Sequence, residues 1–469
     1  MVGSVGLFGV VQFDTQTYDV SAQVDIGAQT WRGNGRLATI FNYTGNSCFL
    51  KLPHNWATVE NLLVRGPGSK AAGTACGIQL GDAEIGGAPR GQTLRNIGTE
   101  NFPTYGVDVV GSTNFVIDNS EIMNSGLVGI RVRNVYHPDN GDSTIQATRI
   151  INGNEACQNN ESQPLAVGNA GIQAITGAGL RIVGNKIYGF FNGIEYAQED
   201  AKTSSVSVIS ANSIEGQCLA NIHLGMQGPH ATGHFGGLTI TGNEMLLNPY
   251  AGVDDIQNML VDSNGIDTLA ISGNLFRGAT VAAPPRQHGL IVTGGTSISV
   301  TGNVFNWLYS GVEIVASSAS DSITVGPNRY DHVDYRLIDS RPISSSKVDT
   351  SDVATVLLTS SSEYTSYWKI GLPQDRAARL HVTVSATAVG AGMVYRDVEV
   401  AISATGTVVT ATPIRDEGFG PPIDLVFDTG TGGHVIVKLK RNSADGATAL
   451  QGNLSLAQIS GNVYSLEKM

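Results

Sequence analysis

Glu195, His223 and Asp254 lie 28 and 31 residues apart. Each is the third residue of a phrase that reads Gly-Ile-Glu, Asn-Ile-His and Gly-Val-Asp in turn. Two carboxylates around an imidazole are the equipment of general acid–base catalysis, and such a pair can serve an inverting or a retaining glycosyl transfer to water. If each phrase is a strand stacked one coil above the last, Glu195 and Asp254 stand two rungs apart, about 9.6 Å between backbones. That suits the roughly 6.5–9.5 Å carboxyl separation of inversion better than the roughly 5–5.5 Å of retention. Asp255 is a spare carboxylate at the strand end, and His223 is placed to tune a carboxylate or hold a hydroxyl.

The elements that must position these groups are repeats. LRIVGNKI (180–187), VSVISANSI (206–214), LTITGNEM (238–245), LAISGNLF (269–276) and ISVTGNVF (298–305) each read as strand, bend, strand. The bend asparagines Asn185, Asn212, Asn243, Asn274 and Asn303 follow at 27, 31, 31 and 29 residues. Asparagine tolerates left-handed backbone, so it is expected to take the bend. A third strand, Gly-apolar-x-apolar, follows each bend, from CGIQL (76–80) through AGIQA (170–174) to SGVEI (310–314). Three short strands per turn with period-2 alternation describe a parallel β-solenoid, and exclude a helical one. The x positions face outward in one column: Lys51, Gln79, Asp108, Arg131, Gln173, Glu195, His223, Asp254, Ile291, Glu313. Any solvated face is polar, yet this one gathers ionisable groups on a chain that is only 14% charged.

Arg131, Gln173 and Glu313 on that column, with Tyr196 and Trp307 as sugar-stacking rings, are the candidate substrate-binding residues. Long segments at 155–169, 196–205, 225–237 and 277–288 flank the same stretch, adding Glu199, Asp200 and Tyr250 as lesser candidates. His223, His230 and His234 lack the spacing of a zinc site, so no metal and no cofactor is expected. Cys48, Cys76, Cys157 and Cys218 never form C-x-x-C and read as free buried thiols in a reducing cytoplasm.

Composition narrows the classes further. Gly contributes 58 of 469 residues, without a collagen period, and 41% hydrophobic content excludes disorder. A net charge of −12 argues against nucleic acid as a partner. No run of 18 apolar residues exists, so no membrane insertion is expected, and the start carries no signal-peptide pattern.

The G-N-x-[IF] bends and Gly-Ile strands, over roughly residues 30–340, resemble the right-handed parallel β-helix of the pectin-lyase-like superfamily. The chain is most similar in class to bacteriophage tailspike polysaccharide depolymerases. That resemblance implies an all-β fold with the groove on the Gly-apolar-x strands. It also implies a homotrimer, a bacterial surface polysaccharide as substrate, a place on the virion tail and attachment through a baseplate or adaptor protein. The expected organisation is a cap over 1–30, the β-helix over 31–342, and an antiparallel, sandwich-like C-terminal domain over 350–469. The function expected first is hydrolysis of capsular or O-antigen chains. A lyase remains open, with His223 or Tyr196 as base and Arg131 or Arg277 as cation. So do a non-catalytic adhesin and a sugar epimerase or isomerase.

Overall fold

A computed structural model of the chain describes residues 9–82, 89–133, 142–153, 169–175, 179–198, 203–226, 234–247, 255–262, 266, 268–279, 286–295, 297–315, 323–339, 348–358, 365–371, 377–388, 392–405, 408–419, 423–429, 434–441, 450–461 and 465–468. Two units are distinguished, one of Met1–Ala270 with Asn274–Gln287, the other of Ile271–Gly273 with His288–Met469.

The first unit is a right-handed parallel β-helix, as the repeats predict. Each coil contributes three strands, and each strand pairs in parallel with its counterpart one coil away. Arg181–Val183 pairs with Val208–Ser210, which pairs with Thr239–Thr241. Lys186–Tyr188 pairs with Ser213–Glu215 and then Glu244–Leu246. Ala170–Ile175, Asn192–Gln198 and Ala220–Met226 form the third stack. Parallel pairing already operates at Val10–Gln12, against Thr30–Arg32.

Inward positions carry aliphatic side chains in unbroken files. Ile145, Ile182, Ile209 and Ile240 stack on one strand position. Ile130, Ile172, Ile194, Ile222 and Met259 stack on another. All nine are fully buried. At about 1.5–3 kcal/mol for each such side chain, this burial is the main favourable term in the fold.

The bends hold a polar file inside this apolar interior. Asn212 Nδ2 donates to Asn243 Oδ1 at 2.9 Å and to the Ile182 carbonyl at 3.0 Å, and its backbone N–H reaches the same Asn243 oxygen at 3.0 Å. Its own Oδ1 accepts from the N–H of Asn185 at 2.9 Å and from Asn185 Nδ2 at 3.0 Å. Asn243 repeats the pattern onto Asn274. The left-handed residue in these coils is therefore not the asparagine. It is the residue before it, Gly184, Ala211 and Gly242, with φ of 67°, 55° and 65°. Among the described residues, asparagine takes left-handed backbone in earlier coils, as at Asn96 and Asn119.

Cys48 and Cys76 form a disulfide between adjacent coils, which overturns the expectation of free thiols. In-register stacking sets the two residues directly opposite each other, although 28 residues separate them in sequence. Cys218 is disulfide-bonded as well.

In the second unit parallel coils continue through Ile298–Thr301, Val304–Ile314, Ile323–Val325 and Arg329–Asp339. Long antiparallel strands follow. Ala377–Ala388 lies between Gly392–Thr405 and Leu450–Gly461, and Thr365–Gly371 pairs with His434–Arg441. Trp368, Val382, Val400 and Val437 are fully buried there.

Replacing Asn212 by Ala removes the acceptor for Asn185 and leaves the Asn243 and Ile182 oxygens one donor short. Each orphaned buried group costs about 1–3 kcal/mol, so a clear fall in the thermal unfolding midpoint is expected. An unchanged midpoint in calorimetry would show that the ladder is not structural.

Candidate functional site

The outward column of the first unit is continuous in register from Asp25 to Leu260. Asp25, Lys51, Gln79, Asp108, Arg131, Gln173, Glu195 and His223 each lie beside the next. The residue beside His223 on the following coil is Leu260. Asp108, Gln173 and Glu195 point away from the helix interior, yet only 4–5% of each is exposed. Side chains this polar stay buried only when they satisfy one another. Arg131 forks onto Asp108, Nε to Oδ1 at 2.8 Å and Nη2 to Oδ2 at 2.7 Å, and lies 3.6 Å over the Tyr105 ring. Gln173 Nε2 donates to Glu195 Oε2 at 2.9 Å.

His223 follows Glu195 by one rung. Its Nδ1 faces Asn192 Nδ2 at 3.4 Å, a weak contact in which the amide donates. That arrangement leaves the ring proton on Nε2, which is buried and has no partner among the described residues. The ring packs against Gly225, where a Cβ would come within 2.9 Å of Nε2, so a side chain at that position would displace the imidazole. Burial pushes the imidazole below its ordinary value of 6.5, while the charges of Glu195 and Asp262 pull it back only in part. Asp262 stands beside Gly225 on the next coil, two residues beyond Leu260 and on the same outward face. Glu195 and Asp262 thus flank His223, displaced by two rungs and two residues, about 12 Å between backbones.

Asp262 is the functional candidate that the sequence reading missed. The phrase Ala-Gly-Val-Asp-Asp was aligned with the groove strand, but the strand is Asp255–Asp262, and its matching phrase is Gln257-Asn258-Met259-Leu260-Val261. Asp254 itself lies outside the described residues, as do Glu199, Asp200, Tyr250 and His230. Asp255 opens the strand, five residues before the column and roughly 17 Å along it, so it does not substitute for Asp254.

Tyr196 is not a sugar platform. It has the parity of the inward positions and is 1% exposed, with its hydroxyl on Ser207 Oγ at 2.8 Å. Burial raises its phenol to about 12. Arg277 belongs to a bend-following strand beside Leu246, away from the groove column. In the second unit, Glu313 contacts His288 Nδ1 at 3.0 Å and Ser310 Oγ at 3.4 Å. Trp307 is 41% exposed there and stacks on His332 at 4.0 Å, both residues having positive φ.

No protein-family profile and no curated protein matches the sequence. Solved structures do. The A-module of mannuronan C-5 epimerase AlgE6 from Azotobacter vinelandii is similar over 72% of this chain and 89% of its own, with a TM-score of 0.56 and 15% identity. The Dettilon tailspike protein gp208 aligns over 97% and 88% of the two chains, at a TM-score of 0.49 and 11% identity. The tailspike protein of E. coli bacteriophage HK620 in complex with pentasaccharide aligns over 96% and 80%, at 0.46 and 11%. The fold is the parallel β-helix that the sequence resemblance implies.

Because burial outweighs the two carboxylates, His223 binds its proton less readily in the folded chain than in the unfolded one. Its contribution to stability is present above 6.5 and is lost as pH falls through the lowered folded value. An NMR titration should place the His223 midpoint below 6.5, and Glu195→Gln should move it lower still. A midpoint at or above 6.5 in the unmodified chain contradicts this geometry.

Proposed function

We propose that the chain is a polysaccharide-acting enzyme of the tailspike depolymerase type, hydrolysing a bacterial surface glycan with inversion. The observation that carries this reading is the His223 site, where Glu195 and Asp262 flank an imidazole whose buried Nε2 lies against Gly225 without a hydrogen-bond partner among the described residues. On this reading Glu195, steadied by the Gln173 amide, protonates the glycosidic oxygen. Asp262, at the exposed end of its strand, takes a proton from the attacking water. His223 donates from Nε2 to a substrate hydroxyl or to that water. Its neutrality matters, because an imidazolium there would compete with the sugar for both carboxylates.

β-Elimination is the weaker reading. It needs a base at C5 and a cation for the uronate carboxylate. Of the groups that sequence offers for it, His223 remains as a base, but Arg131 is pinned to Asp108, Arg277 lies off the column, and the Tyr196 phenol is buried with its proton held to about 12. The β-helix shared with an epimerase module supports a polysaccharide-acting enzyme at the level of fold. The sequence resemblance adds the finer parts of the proposal: capsular or O-antigen substrate, a homotrimer, and a place on the virion tail with a baseplate or adaptor contact.

Incubation with a panel of bacterial surface polysaccharides, scoring new reducing ends and the ultraviolet absorbance of unsaturated uronates, tests the reading. Reducing ends without absorbance are expected; absorbance means a lyase, and binding without either means an adhesin. Glu195→Gln and Asp262→Asn should each lower turnover by about 10²–10⁴-fold with glycan binding retained. Full activity in either variant would remove that residue from the mechanism. Gly225→Ala should cost turnover, since its methyl would come within 2.9 Å of His223 Nε2 and displace the ring.

A further inference from the structure

Beside the main column runs a second outward file two residues further along each strand: Arg133, Ile175, Ala197, Gly225 and Asp262. Its middle members are small or apolar, and a cation stands at one end. Arg133 departs from every other arginine on this face. Asp108, the carboxylate beside it, gives both oxygens to Arg131, and Arg133 Nη2 reaches only to 3.6 Å from Oδ2. Arg133 Nε is buried and without a hydrogen-bond partner among the described residues, while 38% of the side chain remains open to solvent. Two guanidinium groups thus share one carboxylate, leaving one positive charge in excess at this point of the face, on a chain whose net charge is −12. A buried donor on a cation is costly to leave unmade, and a fork of parallel N–H groups matches a carboxylate.

We propose that Arg133, backed by the Arg131–Asp108 pair, is a carboxylate-binding subsite, and that the glycan taken by the groove is therefore acidic, carrying a uronic acid or another carboxylated sugar. The proposal rests on the reading of this face as the glycan groove. Arg133 stands two rungs and two residues from Glu195, about 12 Å between backbones. A chain lying along the helix axis with its reacting bond at Glu195 carries a neighbouring sugar over Arg133. Arg131 cannot take this role, since three of its donors are already engaged by Asp108 and Tyr105.

The test uses the full chain carrying Glu195→Gln, so that cleavage does not intervene. It is immobilised and titrated with purified acidic and neutral bacterial polysaccharides, and with the carboxyl-reduced form of each acidic one. Retained polymers should be acidic, and carboxyl reduction should weaken binding about tenfold or more. Adding Arg133→Gln should weaken the acidic polymer to the same degree and leave the reduced form unaffected. Arg133→Lys, which keeps charge but loses the planar fork, should fall between. Retention of neutral polymers alone, equal binding of reduced and native forms, an Arg133→Gln variant that folds and binds unchanged, or no retention at all would each overturn the proposal. Cleavage by the unmodified chain is scored separately. Discrimination for carboxylates without cleavage of any retained polymer removes the hydrolase reading and leaves this subsite standing.

Discussion

Everything in the first unit depends on coils stacking in register, so that each residue lies directly beside its counterpart one turn away. The asparagine ladder enforces this. A buried amide has two donors and an acceptor to satisfy, and only one vertical position lets Asn212 serve Asn185, Asn243 and the Ile182 carbonyl together. Slipping one coil by a residue would break these bonds and turn its isoleucines to solvent. The left-handed Gly184 and Gly242 belong to the same device, since they aim the following asparagine into the interior at no steric cost. Apolar files supply most of the free energy and the amide file supplies the register.

Register makes the groove column chemically demanding. Neighbouring rungs stand ~4.8 Å apart, where two unit charges at an effective dielectric of 20 interact by about 3.5 kcal/mol. Like charges cannot follow one another at that spacing without relief. The order of residues reflects this: Asp108 is followed by Arg131, and Glu195 sits between the Gln173 amide and the His223 ring. Partnering of this kind is also why side chains directed outward are nearly as buried as those in the core. The outward column is a polar network whose members are held by hydrogen bonds to one another. Such pre-organisation is what a reacting group needs from its neighbours.

Much of this was legible in the sequence, because a solenoid converts spacing into adjacency. The bend asparagines, the inward files and the column from Lys51 to His223 follow from period-2 alternation and the repeat length. What was not legible is instructive. Cys48 and Cys76 each open their strand at the same register position, so the column logic that pairs Glu195 with His223 also pairs them. Reading the cysteines by motif rather than by coil hid the disulfide. Tyr196 has the parity of Ile194, and that parity outranks the general preference of tyrosine for wet surfaces. The register beyond His223 failed for a different reason. The strand phrase was recognised by its glycine, and on that coil the glycine is absent.

The missing glycine has a physical cause, and it falls at the candidate site. In regular coils the residue before the groove strand's first inward position approaches the next coil too closely for a side chain. A Cβ on Gly106 would meet the Gly129 carbonyl oxygen at 2.9 Å, and one on Gly193 would meet that of Asn221 at 2.5 Å. At Asn221 and Asn258 that space is occupied instead by amides, Asn221 Nδ2 donating to Asn258 Oδ1 at 2.7 Å on the next coil, and glycine returns at Gly289. Both asparagines are fully buried. The same strand carries a glycine on its outward face, Gly225, against which the His223 ring packs. The coil that abandons the glycine rule inside is the one whose outward face sets His223 between Glu195 and Asp262. Repeats hold a solenoid together by being alike, and the coil of the candidate site is one that departs from the pattern.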